Sequence, residues 1–86
     1  MTYKVEIVKK AEKELKSIDK NIALRIGNSL MKLGRTPHPR QSIRLKGTPF
    51  YRLRIGDYRA IYTVNNVDRK VTVLSIGHRR EVYKGL

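Results

Sequence analysis

Apolar and polar residues alternate in two rhythms along this chain, and the places where the rhythm changes mark its elements. Tyr3, Val5 and Ile7 fall on one side and Lys4 and Glu6 on the other, which predicts a half-buried strand from Thr2 to Val8. From Lys9 onward Ala11, Leu15 and Ile18 recur at helical spacing while Glu12, Lys13, Glu14 and Lys16 take the wet side, so a short first helix follows. Asp19 is placed as the N-cap of a second helix, whose apolar stripe is Ile22, Ile26, Leu30 and Leu33 and whose stop is Gly34. The two helices are expected to form a hairpin. Gly27 inside the second costs about 1 kcal/mol relative to alanine, with close packing or a bend as its two candidate reasons.

Pro37 and Pro39 around His38 cannot continue a helix or a central strand, so the stretch from Gly34 to Gln41 reads as an extended connection. The remainder carries strand signal: Ile43 to Leu45, Phe50 to Ile55, Tyr58 to Val64 and Lys70 to Ile76. The last three are separated by turns at Gly56-Asp57 and at Asn65-Asn66-Val67-Asp68. A strand, a two-helix hairpin and then three to four antiparallel strands make an α+β fold, with helices on one sheet face and the other face partly open. Residues 1–86 read as a single domain.

Charge changes the picture. Twenty Lys and Arg against seven Asp and Glu leave +13 on 86 residues, far beyond what solubility needs, and such self-repulsion points to an anionic partner. The apolar runs are too short for a membrane span and nothing reads as a signal peptide, so no membrane role is expected and the location is cytoplasmic. With no cysteine and two histidines lacking a carboxylate cluster, neither a metal nor a cofactor is expected.

The excess gathers where chemistry is conceivable. Arg52 and Arg54 share one face of a predicted strand, and Arg59 lies just past the turn on the next, so the three border one surface. Arg79 and Arg80 follow the last strand. A solvated strand face explains any one of these arginines, but a convergent set repels itself unless an anion is bound, and guanidinium forks match phosphate oxygens. Tyr83 either closes the edge of the core or offers a ring to a base and a phenol to a ribose hydroxyl. His78 lies beside the cluster as its one imidazole, a candidate functional side chain, although a plain surface histidine fits equally. His38 reads as a loop histidine, and Tyr51, Tyr58 and Tyr62 as sheet packing.

Three ordered runs then resemble the RelE branch of the RelE/ParE toxin superfamily: Ile43-Arg44-Leu45-Lys46-Gly47, Phe50 through Tyr62, and Ser75 through Tyr83. The N-terminal strand opening into a helix with Ala11 and Leu15 extends the likeness to nearly the whole chain. The resemblance implies a RelE-like toxin of a toxin-antitoxin pair, an endoribonuclease that enters the ribosomal A site and cleaves mRNA without a metal. There the ribose 2′-hydroxyl attacks the adjacent phosphate. Carried onto this chain, Arg52, Arg54 and Arg59 would hold the phosphate, Arg79 would stabilise the leaving oxygen, and Tyr83 would orient a base or help deprotonate the hydroxyl. Arg44, Lys46 and Arg80 would add RNA contacts.

Well-known members carry lysines where this chain has Arg52 and Arg54, and a guanidinium, which holds its proton far above neutral pH, is a poor proton carrier. His78, standing where a lysine is usual, becomes a possible proton carrier. The implied partners are a cognate acidic antitoxin, the ribosome and mRNA. A ParE-like inhibitor of DNA gyrase and a non-catalytic basic nucleic-acid-binding module are the alternative functions.

Overall fold

The change of rhythm at Val8 is where strand gives way to helix, and the other changes likewise fall within a residue or two of element ends. The computed structural model describes residues 2–82. Its elements are β1 (Lys4–Ile7), α1 (Lys9–Lys16), α2 (Lys20–Lys32), β2 (Ser42–Arg44), β3 (Tyr51–Ile55), β4 (Tyr58–Asn65) and β5 (Lys70–His78). Asp19 caps α2 as expected, its carboxylate accepting the Asn21 amide at 3.2 Å. Gly34 is dictated by the neighbouring strand: Tyr3 donates its amide to the Gly34 carbonyl at 2.6 Å, and an added Cβ would stand 3.0 Å from the Tyr3 oxygen. An added Cβ at Gly27 would meet nothing within 4 Å, so close packing is not its reason.

The five strands form one sheet in the order β1-β5-β4-β3-β2. The β2, β3, β4 and β5 neighbours pair antiparallel, whereas β1 pairs parallel with β5, Lys4 opposite Lys70 through Ile7 opposite Val73. The sheet is therefore mixed, with the first strand returning beside the last. Both helices cover one face. Ile26, Leu30 and Leu33 of the α2 stripe are essentially excluded from water against Leu53, Ala60, Tyr62, Val71, Val73 and Ile76, with Ala11 joining from α1. Burying a leucine or isoleucine this completely contributes about 1.5–3 kcal/mol. Ile22, at the start of the stripe, stays 38% exposed.

A bulge interrupts the β4–β5 ladder. Ile61 faces Ser75 but Tyr62 faces Val73, so Leu74 is left without an opposite residue. The extra residue shifts the alternation of β5, turning Ile76 rather than Ser75 toward the core where Val71 and Val73 already point. Beyond Val73 the strand has outrun β1, and α1 takes over its edge. Glu14 accepts the Ile76 amide at 3.0 Å and the Ser75 hydroxyl at 3.3 Å, while Lys10 bridges Glu14 and Ser75 at 3.1 Å each. A carboxylate thus replaces the missing strand as hydrogen-bond acceptor.

The connection from α2 to β2 is ordered, as the prolines imply. Its Pro37 carbonyl accepts the Tyr62 hydroxyl at 2.8 Å, and its Pro39 carbonyl accepts Ser42. Burial raises the Tyr62 phenol above the ordinary 10.0; the Ser42 hydroxyl works against this and the Tyr51 phenol with it. Among the described residues no helix is long and apolar enough to cross a membrane.

Two outcomes test these contacts. Glu14→Ala removes the acceptor of the Ile76 amide at a part-buried site and should lower the unfolding free energy by about 1 kcal/mol in a urea titration, with Glu14→Gln, which keeps an acceptor, losing less. The Tyr62 phenol keeps its proton to higher pH when folded than unfolded. Its share of stability is whole below pH 10.0 and is lost as pH rises from there through the folded value. Urea midpoints for Tyr62→Phe should therefore fall less steeply than wild type between about pH 9 and about pH 11.

Candidate nucleic-acid interface

The β3–β4 hairpin turns on Gly56, whose φ of +59° is the left-handed value that a two-residue loop with glycine first requires. This turn sets the register, and the register sets the site. Arg54 lies directly opposite Arg59 and Arg52 opposite Ile61, so all three arginines share the sheet face turned away from the helices, while Leu53 and Ile55 enter the core. Like charges directly opposite repel. The Arg59 guanidinium is held in place by its own turn, donating from Nη1 to the Gly56 carbonyl at 2.9 Å and the Tyr58 carbonyl at 2.8 Å.

The same turn captures Arg79. Its backbone amide donates to the Asp57 carbonyl at 2.8 Å, which brings the segment after β5 against the hairpin tip. From there the chain folds back over the arginine face. Gly77 sits opposite Arg59, an added Cβ there would lie 3.5 Å from the Val82 Cα, and Val82 is buried. The face expected to be partly open is covered at β5 by this returning segment.

The register separates other expected residues from this face. Tyr58, not Arg59, is opposite His78, and the two rings meet edge to face at 5.8 Å on the helix-bearing side. His78, expected beside the arginines, therefore points away from them; its Nδ1 accepts the Arg80 amide at 3.4 Å. Arg44 pairs with Tyr51 and so belongs to the opposite face from Arg52; its Nε donates to the Thr48 carbonyl at 3.1 Å. Ile43 takes the place beside Arg52 instead. Lys46 is exposed in the β2–β3 connection and Arg80 in the turn after β5. Tyr83 lies outside the described residues.

Around the hairpin tip a groove of about 790 Å³ opens between the sheet and α2. Arg54, Arg59 and Arg79 line one side and Arg25, Ser29 and Lys32 of α2 the other. The α2 residues were not anticipated. Their spacing of four and three is the helical signal that could have found them, running beside the apolar stripe of Ile22, Ile26 and Leu33. Asp57 is the only acid lining the groove among the described residues. The glutamates of β1 and α1 are paired with lysines: Glu6 meets Lys4 and Lys70, Glu12 meets Lys16, and Glu14 meets Lys10. No three His, Asp or Glu side chains among the described residues gather as a metal site would need.

Beside the groove, His38 is not a bare loop histidine. Its ring rests on Tyr51 at 4.7 Å, and Tyr51 stacks on buried Tyr62 at 5.5 Å. The ladder secures the 34–41 connection to β3, and the backbone bond from the Arg54 amide to Gln41 at 3.1 Å continues it.

Comparison with known proteins converges on one family. Residues 5–83 match the family model for the ParE toxin of type II toxin-antitoxin systems, parDE. RelE1 of Methanocaldococcus jannaschii is 33% identical over 88 residues, spanning 98% of both chains. Among solved structures, the archaeal RelE–RelB complex from Pyrococcus horikoshii shows a chain 39% identical with a TM-score of 0.81, covering 92% of this chain and 97% of that one. Isolated Escherichia coli RelE shares the fold at 23% identity and a TM-score of 0.76, over 88% of this chain and 83% of its own. The family model spans nearly the whole chain and the similar sequences are RelE proteins; the chain belongs to the RelE branch of the RelE/ParE superfamily, toxins of type II toxin-antitoxin systems.

Proposed function

We propose that this toxin is a ribosome-dependent endoribonuclease that cleaves mRNA in the A site, halts translation in the cytoplasm, and is held in check by an acidic antitoxin. The observation that carries the reading is the hairpin register: Arg54 opposite Arg59, with the Arg79 backbone tied to the same turn. Attack of a ribose 2′-hydroxyl on the neighbouring phosphate gathers extra negative charge on the phosphorane oxygens. Preorganised guanidinium groups stabilise that charge without reorganising, which is the dominant contribution in reactions of this kind. The RNA brings its own nucleophile, so the reaction needs no metal-bound water.

Roles follow from chemistry. Arg52, Arg54 and Arg59 hold the phosphate, Arg79 offsets charge on the departing 5′-oxygen, and Tyr83 stacks on and orients a base. The arginines stay protonated throughout, so their work is electrostatic. His78 receives no proton-transfer role in this reading because it lies across the sheet from Arg59. Lys46 and Arg80 remain as outlying RNA contacts, whereas Arg44 on the far face contributes only general attraction.

An antitoxin partner is supported by the net charge of +13 and by the Pyrococcus horikoshii relative, whose structure is a RelE–RelB complex. An acidic segment would relieve self-repulsion and cover the arginines. Because the matching family model is that of ParE toxins, gyrase inhibition is the reading to be separated, and supercoiling by purified gyrase should be unaffected by this chain.

Single-turnover cleavage on programmed ribosomes tests the proposal. Arg59→Ala should slow cleavage by roughly 100-fold or more with the fold intact, and Arg59→Lys should recover only part because the fork is lost. Intact message ends with the wild-type chain would refute the nuclease reading. At Tyr83, phenylalanine should keep most activity and alanine lose it, stacking being worth about 1–3 kcal/mol per base. A Tyr83→Phe variant as slow as Tyr83→Ala would make the hydroxyl catalytic instead.

A further inference from the structure

Helix α2 carries three stripes. Ile26, Leu30 and Leu33 are buried in the core; Leu24 and Met31 are exposed at 60% and 61%; and Arg25, Ser29 and Lys32 face the groove. The third stripe has no structural task that accounts for it. Neither the Arg25 nor the Lys32 side chain forms an ion pair or hydrogen bond with any described residue, and the same holds for Arg54 and Arg79 across the groove. Arg25 nevertheless has a definite position. A Cβ added at Gly56 would lie 3.9 Å from its Nη1, so the guanidinium hangs over the turn that organises the sheet arginines. Five cations converge on one cleft with Asp57 as their only acidic neighbour among its described lining.

We propose that Arg25 and Lys32, with the Ser29 hydroxyl between them, form a second phosphate-binding wall that holds the RNA backbone at a nucleotide flanking the phosphate under Arg54 and Arg59. The inference deepens the proposed function and rests only on its RNA-binding part. A groove lined by cations from both the sheet and α2 suits a single strand tracked through successive phosphates. Guanidinium, ammonium and hydroxyl donors all suit phosphate oxygens. A protein helix docking here would instead require apolar anchors. The groove offers little of that kind: of its apolar lining residues Leu33, Leu53 and Ile55 are buried at 1%, 4% and 8% exposure and Pro39 is half-buried, while the exposed Leu24 and Met31 lie on another stripe.

The test uses the free chain and a short, fluorescein-labelled, single-stranded 2′-O-methyl RNA, which lacks the attacking hydroxyl and so reports binding without cleavage. Anisotropy titrations across a range of KCl give the salt dependence. Arg25→Ala/Lys32→Ala should weaken binding at least several-fold and reduce the slope of log K against log[KCl] by about 1.4, or about 0.7 for each phosphate that the protein no longer neutralises. The control, Lys9→Ala/Lys13→Ala on α1, removes the same charge outside the groove and should change the slope by less than half as much. Lys32→Ala alone, at an exposed position, should give about half the effect and guards against misfolding of the pair. Equal losses in the groove and control variants would overturn the proposal, leaving only net charge. Retained RNA binding together with lost binding of a polyglutamate peptide would also overturn it, making the groove a protein site. If wild type binds with the expected slope but never cleaves ribosome-bound message, this inference stands and the nuclease reading falls. Cleavage by wild type alongside an unchanged slope in the double variant does the reverse, removing the second wall and leaving the nuclease reading in place.

Discussion

The β3–β4 register is the constraint on which both the fold and the basic face depend. Side chains on a strand alternate with a period of two, so a slip of one residue would lift Leu53 and Ile55 out of the core and drive Arg52 and Arg54 into it. Burying unpaired guanidinium groups is far too costly for that alternative to be populated. The core therefore enforces the arginine array, and the positive φ of Gly56 lets the chain reverse without disturbing it. Hydrophobic burial, a non-specific force, here produces a specific electrostatic arrangement.

Charge is distributed unevenly over the molecule. The glutamates of β1 and α1 are paired with lysines of β1, α1 and β5, and Glu14 also closes the edge of β5 where β1 runs out. Exposed pairs of this kind contribute little to stability, typically below about 1 kcal/mol. Their effect is on the local charge: they offset part of the positive charge of β1 and α1, whereas the groove at the hairpin tip has five cations and Asp57 as its one acid among the described lining.

The turn at Gly56-Asp57 joins the parts of the candidate site through its backbone carbonyls. Its carbonyls orient the Arg59 guanidinium and anchor the Arg79 amide, so one two-residue loop holds a side chain of β4 and the backbone of the segment that follows β5. The aromatic ladder of His38, Tyr51 and Tyr62 supports the neighbouring wall, fixing the proline-containing connection against β3. Rigid elements beneath a charged surface are what electrostatic preorganisation demands.

The order of elements, the cap at Asp19, the core stripe of α2 and the sharing of one face by Arg52 and Arg54 were all legible from the sequence, because each depends on residues within a few positions of one another. Local period and local turn chemistry decide them. The parallel return of β1 beside β5, the bulge at Leu74, the turning of His78 and Arg44 away from the arginines, and the addition of Arg25 and Lys32 to the groove belong to the tertiary structure alone. Each is a relation between segments far apart in the chain, and side-chain periodicity carries no information on which strand lies beside which. That choice is made cooperatively by the packing of the helices on the sheet.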